Sequence, residues 1–321
     1  MTKKNRREFM RASGLTAAGF MAAAQPLSSS VAEPVQGGAA PKTRAAKFRD
    51  LLRGQPVEGV GVYSVPTARM AEILGFPVLW LGSTAYSELH GVPDWELVSD
   101  GELVDYIWPI VDSVAIPALV DLDISGFTPV HTYRYTKSYE RAGVGAIHLS
   151  EVEPWPGGRR HSIKEMSDRI RAAVDARSDM VVTARTDVTE GTNNAIERAT
   201  AYKEAGAEAL WILPGFTVEQ SRQISTAAKI PIIASIGSTN PQGRYVAGMT
   251  ADQIRQGSIQ MTLLTTFVRD IARKVEYNAL KELKDTRSGN GSLVPDVPND
   301  VRRRLTNADQ YDKIAKQYPP R

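Results

Sequence analysis

The sequence predicts an α/β protein built from eight alternating strand and helix units, and three observations support this class. Eight short apolar runs recur between residues 59 and 265, and amphipathic stretches of helical length separate them. No Gly/Ser-rich or Pro-rich linker interrupts residues 50–285, so this region is predicted to form one domain. No Gly-x-Gly-x-x-Gly follows the first apolar run, which argues against an open doubly wound sheet that binds a dinucleotide. Eight units of this length are typical of a (β/α)8 TIM barrel.

The elements follow one another in a regular order. The predicted strands span residues 59–63, 78–82, 116–123, 146–151, 180–187, 209–214, 231–235 and 259–265. The clearest predicted helices span residues 68–74, 101–114, 132–142, 164–176, 194–205, 218–228 and 267–283. Gly75, Gly143 and Gly206 each stand where a helix should stop before the next strand, because glycine readily takes the left-handed conformation that ends helices.

Residues 1–32 have the three parts of a twin-arginine signal peptide. A basic start contains Arg6-Arg7, a weakly apolar stretch covers residues 15–24, and Ser30-Val31-Ala32 has the small-x-small pattern of a cleavage site. We therefore expect a soluble mature protein that starts near Glu33 and is periplasmic or otherwise exported. Residues 33–45 are predicted to be a flexible linker, residues 46–285 the barrel, and residues 286–321 a C-terminal extension over a surface or a neighbouring subunit.

Charge and cysteine content exclude several functional classes. Removal of residues 1–32 leaves 34 basic and 35 acidic residues, so the mature chain gives no support for binding nucleic acid or an anionic membrane. The chain has no cysteine. This excludes a disulfide framework, a zinc–thiolate site and a cysteine nucleophile.

Two acidic residues at the end of the third predicted strand indicate a cation site. Asp121 and Asp123 are two positions apart, so a strand would point both side chains to the same face. Two carboxylates on one face repel each other unless a proton or a cation lies between them. Mg²⁺ prefers such hard oxygen ligands. The alternative is a solvated strand end with two ordinary surface acids.

Other polar residues also cluster at predicted strand ends, where a barrel would bring them to one mouth. The candidates after the first five strands, with one residue from the loop after the second, are Tyr63, Ser64, Gly82, Ser83, Thr84, Asp94, Asp121, Asp123, His148, Ser150, Glu151, Glu153, Arg185 and Asp187.

Five of these segments, with one helix, resemble the isocitrate lyase and phosphoenolpyruvate mutase superfamily. The matching runs are VLWLGS at 78–83, GVPD at 91–94, VDLD at 120–123, GAIHL at 145–149 and TARTD at 183–187. The helix DRIRAAVDAR at 168–177 is particularly similar to the methylisocitrate lyase branch. The resemblance covers residues 45–285 in order. It implies a (β/α)8 barrel whose last helix is swapped between subunits of a homodimer or homotetramer, with Mg²⁺ or Mn²⁺ bound by carboxylates.

The resemblance also implies roles for individual residues. Asp121 and Asp123 would hold the metal with Asp94 near it, and Arg185 would bind a substrate carboxylate or else pair structurally with Asp187. Backbone amides at Gly82 and Ser83 would bind substrate oxygens. His148, Glu151 or Tyr63 would move protons, although His148 also fits a core histidine. Arg159 and His161 would be the polar tips of a lid that closes over an anionic substrate, unless residues 153–161 form a solvated turn.

Several positions depart from the family pattern. The lyases carry Lys-x-Cys-Gly-His after the fourth strand, whereas residues 153–161 read EPWPGGRRH without a cysteine. The family's Glu-Asp pair is Ser150-Glu151, the acid after the sixth strand is replaced in Leu213-Pro214-Gly215, and the Asn after the seventh strand is Ser235. These losses argue against a conventional isocitrate or methylisocitrate lyase and bring the retention of the metal into question.

The predicted function is an exported, metal-dependent lyase for a 2-oxo or 2-hydroxy carboxylate. It would cleave a C–C bond or decarboxylate its substrate through an enolate. A divalent cation lowers the energy of such an enolate by offsetting its negative charge. Two alternatives stay open at this point. One is a phosphonopyruvate-type enzyme that breaks a P–C bond. The other is a non-catalytic carboxylate-binding protein on the same barrel.

Overall fold

Eight parallel strands close into a barrel, in which each strand pairs with the next along the chain and the last pairs with the first. The predicted (β/α)8 TIM barrel is therefore confirmed. The strands are β1 (Val57–Gly61), β2 (Leu79–Leu81), β3 (Ala118–Asp121), β4 (Ala146–Leu149), β5 (Val181–Thr186), β6 (Ala209–Ile212), β7 (Ile232–Ile236) and β8 (Ile259–Leu264). The structure, a computed structural model, describes residues 42–122, 128–236, 248–287 and 298–318.

Helices surround the barrel, and most begin at a hydroxyl side chain that caps their first turn. They are α1 (Arg44–Arg53), α2 (Val65–Ile73), α3 (Ser83–Leu89), α4 (Asp100–Asp112), α5 (Pro129–Arg141), α6 (Ile163–Ala176), α7 (Thr192–Glu204), α8 (Val218–Ala228), α9 (Ala251–Gln256), α10 (Phe267–Thr286), α11 (Asn299–Leu305) and α12 (Ala308–Gln317). Gly75, Gly143 and Gly206 follow α2, α5 and α7 with φ of +89°, +85° and +107°, as the sequence predicted.

The strands alternate between two cores, as a two-residue period requires. One set of side chains fills the barrel interior, and the other packs between sheet and helices. Interior residues of β2 and β6 include Trp80 and Trp211. The barrel is tight where β1 passes β8, because a Cβ on Gly61 would lie 1.9 Å from the carbonyl oxygen of Thr265. Only glycine fits at that position.

Helix α1 begins at Arg44, so its first two residues fall inside the stretch 33–45 that the sequence predicts to be a linker. The Thr43 hydroxyl accepts a hydrogen bond from the backbone N–H of Ala46 at 3.0 Å and caps the helix. Ala45, Phe48 and Leu52 are buried against the barrel interior. Tertiary burial of these apolar side chains stabilises a helix that composition alone does not predict. Residues 1–32, the predicted signal peptide, lie outside the described residues.

The C-terminal extension contains helices that the sequence reading did not predict. Arg69 on α2 donates to the carbonyl oxygen of Leu305 at 2.6 Å, so α11 lies against the barrel's own helical layer. Helix α10 has no buried residue in the part of the chain that the structure describes, and it exposes Ile271, Val275, Tyr277, Leu280 and Leu283. None of the described helices combines the length and the apolar character needed to span a bilayer.

Candidate active site

A cavity of about 180 Å³ lies at the mouth formed by the carboxyl ends of the strands. This is the end of a TIM barrel where chemistry occurs. Six of the residues that were given a role from the sequence line it, namely Tyr63, Gly82, Ser83, Asp94, Asp121 and Arg185. Four others among the described residues do not line it, namely His148, Glu151, Arg159 and His161. The volume is below that of drug-sized pockets, which favours a small ligand.

Asp94 and Asp121 form an acidic side of the cavity. The Ser83 hydroxyl lies 2.9 Å from Asp94 Oδ2 and 3.1 Å from Asp121 Oδ2, so it links the loop after α3 to the end of β3. Thr84 also donates to Asp94, at 2.7 Å. Asp121 is 5% exposed. Ser83 has one proton and can donate it to only one of the two carboxylates at a time.

This donor set fits a divalent cation. The neutral Ser83 hydroxyl does not offset the negative charge of the two carboxylates that face it, and all three groups are hard oxygen donors. Mg²⁺ commonly uses only one or two carboxylates and keeps several waters. No group of three or more His, Cys, Asp or Glu side chains with metal-site spacing occurs among the described residues. Asp123, the second predicted ligand, lies outside them.

Arg185 enters the cavity from β5 and is held by two neighbours on β4 and the turn after it. Its Nη1 lies 3.2 Å from Nε2 of His148, and its Nη2 donates to the Ser150 hydroxyl. The Ser150 hydroxyl donates in turn to the carbonyl oxygen of Val152 at 2.8 Å. Because a guanidinium only donates, Nε2 of His148 must be the accepting nitrogen. The alternative pairing of Arg185 with Asp187 does not occur, since Asp187 pairs with Arg160 at 2.6 Å.

His148 lies beneath the cavity and is fully buried. Its Nδ1 lies 3.5 Å from Asp121 Oδ1, in line with the register that pairs these two residues. Its ring packs between Trp80 and Trp211, with both ring centroids 4.9 Å away. His148 therefore connects the cationic side of the cavity to its acidic side. This position suits a residue that orients Arg185 and Asp121 better than one that meets the substrate.

Tyr63 lines the cavity, and the structure shifts the pKa of its hydroxyl. Burial raises the pKa of its hydroxyl, and the negative charge of Glu276 on α10 adds to the effect. The phenol therefore stays protonated at neutral pH and is available as a proton donor.

Glu151 does not reach the cavity. Its carboxylate is buried behind β4 and β5, where Arg160 and Tyr202 donate to it, Thr186 donates at 2.8 Å and Arg198 donates at 3.1 Å. Burial and the Glu151 charge raise the pKa of Tyr202, so this phenol remains a donor. The network ties β4, β5 and α7 together. The geometry corrects the expectation that Glu151 moves protons at the site, because four donors already occupy its oxygens.

The loop after β4 is a small hairpin whose predicted lid residues point away from the cavity. Val152 and Arg160 form an antiparallel bridge, and Arg159 donates to Glu165 on α6 at 2.8 and 2.9 Å. His161 is 2% exposed and lies 3.2 Å from Glu153. Burial and the nearby charge of Arg169 lower the pKa of His161. Arg159 and His161 therefore do not meet the expectation of substrate contact, and Pro154 is the residue of this loop that lines the cavity.

The departures from the family pattern fall around the same cavity. The hydroxyl oxygen of Ser235 on β7 lies 3.4 Å from the hydroxyl oxygen of Thr265. Both residues line the cavity. Leu213 supplies an apolar wall where the family has an acid. Gly215 has a φ of +111° and lies in the turn before α8.

Sequence reasoning missed three kinds of cavity residue: Trp211 from inside β6, Thr265 and Thr266 after β8, and Arg269 from the first turn of α10. The candidates predicted from polar residues at strand ends follow the first five strands only. The same search at the end of the eighth strand identifies Thr265 and Thr266. Arg269 lies beyond the strand end, and its approach to the cavity depends on how α10 leaves the barrel.

The chain is similar to known proteins over most of this barrel. The family model described as phosphoenolpyruvate phosphomutase matches residues 48–276. The 2-methylisocitrate lyase of Escherichia coli K12 is 34% identical over 249 residues, which cover 72% of this chain and 82% of that protein. The crystal structure of 2,3-dimethylmalate lyase is 25% identical with a TM-score of 0.74, over 87% of this chain and 99% of that one. A phosphonopyruvate hydrolase crystallised with oxalate and Mg²⁺ is 23% identical, has a TM-score of 0.74 and shares the fold over 87% of this chain and 100% of its own.

Proposed function

The chain belongs to the phosphoenolpyruvate mutase/isocitrate lyase superfamily, and from this premise we propose that it is a carbon–carbon lyase for a short 2-oxo or 2-hydroxy carboxylate. The observation that carries the proposal is the placement of Arg185 and the Asp94–Asp121 pair in one small cavity. A guanidinium and a carboxylate pair in one site can bind an anion and a divalent cation together. The names of 2-methylisocitrate lyase and 2,3-dimethylmalate lyase support a lyase.

Asp121 and Asp94 would hold Mg²⁺ or Mn²⁺, and Asp123 is a further ligand predicted from sequence alone. A bound divalent cation supplies positive charge that lowers the energy of an enolate next to a carboxylate. The Ser83 hydroxyl lies within hydrogen-bonding distance of both acids and can orient either one by donating its proton. The N–H groups at Gly82 and Ser83, in the first turn of α3, are suitable donors for substrate oxygens.

Arg185 binds the substrate carboxylate, for which a planar guanidinium offers a two-pronged donor. His148 and Ser150 hold the guanidinium plane, so the side chain needs little reordering when substrate arrives. Trp80, Trp211 and Leu213 supply the apolar remainder of the cavity and exclude water.

Tyr63 handles the proton. Cleavage of a 2-hydroxy acid breaks the bond between the hydroxyl-bearing carbon and its neighbour, and the hydroxyl loses a proton as a carbonyl forms. The neighbouring carbon keeps the electron pair and gains a proton, so no net proton is consumed. Tyr63 is the cavity phenol, and its raised pKa keeps it able to donate to that carbon. In this assignment Tyr63 takes the proton-transfer role of the cysteine that the chain lacks.

A panel of acids tests the proposal. The purified chain would be treated with EDTA, reloaded with Mg²⁺ and incubated with 2-hydroxy and 2-oxo acids, and the carbonyl product would be assayed. We expect turnover that depends on Mg²⁺ and is lost in Asp121→Asn and Arg185→Gln. Turnover of phosphonopyruvate alone would indicate the P–C bond alternative. Binding without turnover of any acid would indicate the non-catalytic carboxylate-binding protein.

Export and self-association complete the proposal. The Arg6-Arg7 motif and the pattern of residues 1–32 support twin-arginine export, and N-terminal sequencing of protein from a periplasmic fraction would test for a start near Glu33. The exposed apolar residues of α10 support a homo-oligomer in which this helix packs on a second copy. A swapped last helix is the arrangement that the family resemblance implies.

A further inference from the structure

We propose that Tyr106 is a positioning residue for Tyr63. The Tyr106 hydroxyl donates a hydrogen bond to the Tyr63 oxygen, directly or through one buried water, and so fixes the direction in which the Tyr63 proton points. The inference rests on the proposed function, which gives Tyr63 the proton transfer in the cavity. Tyr106 lies in the middle of α4 and does not line the cavity, so it would act on the reaction only through Tyr63.

The Tyr106 hydroxyl is a buried donor that has no hydrogen-bond partner among the described residues. A buried phenol normally finds a protein partner or an ordered water, because an unsatisfied hydroxyl costs free energy. Tyr86 on α3 is 1% exposed, and its hydroxyl likewise has no partner in the described part of the chain. The rings of Tyr86 and Tyr106 pack with their centroids 4.9 Å apart. These two phenols therefore form one aromatic cluster between α3 and α4 with donors to spare.

The aromatic cluster lies behind the wall of the cavity that carries Tyr63. Ala85, the residue before Tyr86, lines the cavity together with Tyr63. A second cavity of about 220 Å³ shares Tyr63, Ala85 and Arg269 with the first. The charge of Arg269 acts on Tyr106, and so would a negative charge on Tyr63. Because such effects weaken with distance, Tyr63 and Tyr106 lie in the same region of the barrel mouth.

Tyr106 keeps its proton and is therefore a donor. Burial raises the pKa of its hydroxyl, and a negative charge on Tyr63 would raise this pKa further. When Tyr63 gives its proton to the substrate carbon, the Tyr63 oxygen becomes negatively charged. A hydrogen bond to a charged acceptor is stronger than one to a neutral hydroxyl. Tyr106 would thus stabilise the Tyr63 anion while neither gaining nor losing a proton itself.

An NMR titration of tyrosines labelled with ¹³C at Cζ tests the inference in the full chain and without substrate. The signal of Tyr63 is the one that disappears in Tyr63→Phe. Removing the donor in Tyr106→Phe disfavours the Tyr63 anion, so the titration midpoint of Tyr63 should rise by about one pH unit, the size of one hydrogen bond. A purely structural role for Tyr106 predicts a fall, because looser packing admits water and burial is what raises the pKa of Tyr63. An unchanged or lowered midpoint would overturn the inference.

Tyr135→Phe is the matched control. Tyr135 on α5 packs against the same apolar core as Tyr106, and burial raises the pKa of its hydroxyl as well. Tyr63 is not among the groups whose charge acts on Tyr135. We expect this variant to leave the Tyr63 midpoint where it is in the wild type. Glu276→Gln should move the midpoint in the opposite direction from Tyr106→Phe, because it removes a negative charge that disfavours the Tyr63 anion.

A measurement on the wild type covers the case in which Tyr106→Phe does not fold. With the label at position 106 alone, the Cζ signal of Tyr106 should respond as Tyr63 titrates, and this response should be missing in Tyr63→Phe. A Tyr106 signal that does not respond to Tyr63 would overturn the inference. Near-ultraviolet circular dichroism of each variant reports whether its tertiary packing is intact.

The absence of substrate in these titrations separates this inference from the proposed function. A Tyr63 midpoint that rises in Tyr106→Phe, in a protein that turns over no acid, would support the positioning role and count against the lyase. Turnover that is lost in Tyr63→Phe, with a Tyr63 midpoint that does not respond to Tyr106→Phe, would support the lyase and count against the positioning role. If both hold, Tyr106→Phe should lower kcat about tenfold and leave KM unchanged.

Discussion

The Nη1 atom of Arg185 lies 3.2 Å from Nε2 of His148, and the opposite nitrogen of the same ring lies 3.5 Å from Asp121. One buried imidazole thus spans the distance between the group that would bind the substrate carboxylate and the group that would bind the cation. Because Nε2 accepts from the guanidinium, the ring proton stays on Nδ1 and points to the side of Asp121. His148 can thus position Arg185 through Nε2 while its Nδ1 lies beside Asp121, without lining the cavity itself.

Replacing His148 should therefore weaken substrate binding before it affects chemistry. In His148→Asn the side chain no longer reaches Arg185, which loses an acceptor worth about 1–3 kcal/mol, or roughly fivefold to 150-fold in KM. In His148→Gln the amide oxygen can take the place of Nε2, so we expect a smaller rise. Steady-state kinetics would separate KM from kcat. Thr183→Val, which removes a buried hydroxyl 2.9 Å from the Ile147 carbonyl oxygen, is the control. A fall in kcat at constant KM would instead assign proton transfer to His148.

Replacing Glu151 should reduce stability. Glu151→Gln removes the charge that faces Arg160 and Arg198 in a buried network, and breaking a buried ion pair typically costs about 3–5 kcal/mol. Urea unfolding would measure the free energy of unfolding. Glu165→Gln is the comparison, because its pairing with Arg159 lies at the surface and should matter less. If Glu151→Gln stays as stable as the wild type but loses kcat, Glu151 acts in the chemistry after all.

Tyr63→Phe should remove the proton donor while the cavity keeps its shape. We expect kcat to fall by about 10²- to 10⁴-fold with little change in KM, the usual range for a general acid. Tyr277→Phe, on the exposed side of α10, is the control and should behave as the wild type. Equal activities of the two variants would exclude Tyr63 as the donor.

The pH profile provides an independent check on Tyr63. Burial and Glu276 raise its pKa, so the active protonated form persists above the ordinary titration range of tyrosine. Glu276→Gln removes the negative charge that disfavours tyrosinate. The pKa should fall, and the alkaline limb of the kcat profile should move to lower pH. A limb that does not move, or moves upward, would contradict the assignment.

Removing the cation-binding acids should uncouple stability from Mg²⁺. Mg²⁺ at 100 times its Kd should stabilise the wild type by about 2.7 kcal/mol, because it binds the folded chain alone. Asp121→Asn should lose this stabilisation, and without Mg²⁺ it should melt no lower than the wild type, since one of two facing carboxylates has lost its charge. Thermal melts with Mg²⁺ and with EDTA would decide. Asp252→Asn, at an exposed position on α9, should respond to Mg²⁺ like the wild type.

Charging the apolar face of α10 should change the oligomeric state. Leu280 is 69% exposed, and the same helix also exposes Ile271, Val275, Tyr277 and Leu283. Leu280→Glu would place a charge in the proposed subunit contact and should release monomers, as measured by light scattering after size exclusion. Lys281→Glu, on the same turn, changes charge without touching the apolar residues and should leave the assembly intact. A wild-type chain that is already monomeric would count against the proposed assembly.

The order and type of the main elements could be predicted from the chain because they depend on local patterns. Each of the eight predicted strands overlaps an observed one, and α8 has the predicted bounds 218–228. The first strand was placed two residues late, at 59–63 instead of Val57–Gly61, because apolar residues continue past the point where pairing ends. Helices α1, α3, α9, α11 and α12 were missed, since short helices owe their stability to packing and capping more than to a long periodic pattern.

A search for functional residues at the carboxyl ends of predicted strands identified five cavity residues, Tyr63, Gly82, Ser83, Asp121 and Arg185. It succeeded because the carboxyl ends of all parallel strands in a barrel lie at one mouth. It could not separate these residues from Glu151, Arg159 and His161. Glu151 turns outward into a buried network, and Arg159 turns toward α6. The direction of a side chain after a strand ends depends on which partner lies nearest in space.

The amino-acid order alone thus determined the barrel, the acidic and basic character of its mouth and the family. Alternation of apolar and polar residues is a local property that any stretch of chain displays by itself. Only the tertiary structure decided that His148 lies between Arg185 and Asp121, that the Glu151 carboxylate turns into a buried network, and that Arg269 lines the cavity. These relationships join residues that are tens of positions apart in the chain, and they exist only once barrel closure has brought the residues within hydrogen-bonding distance.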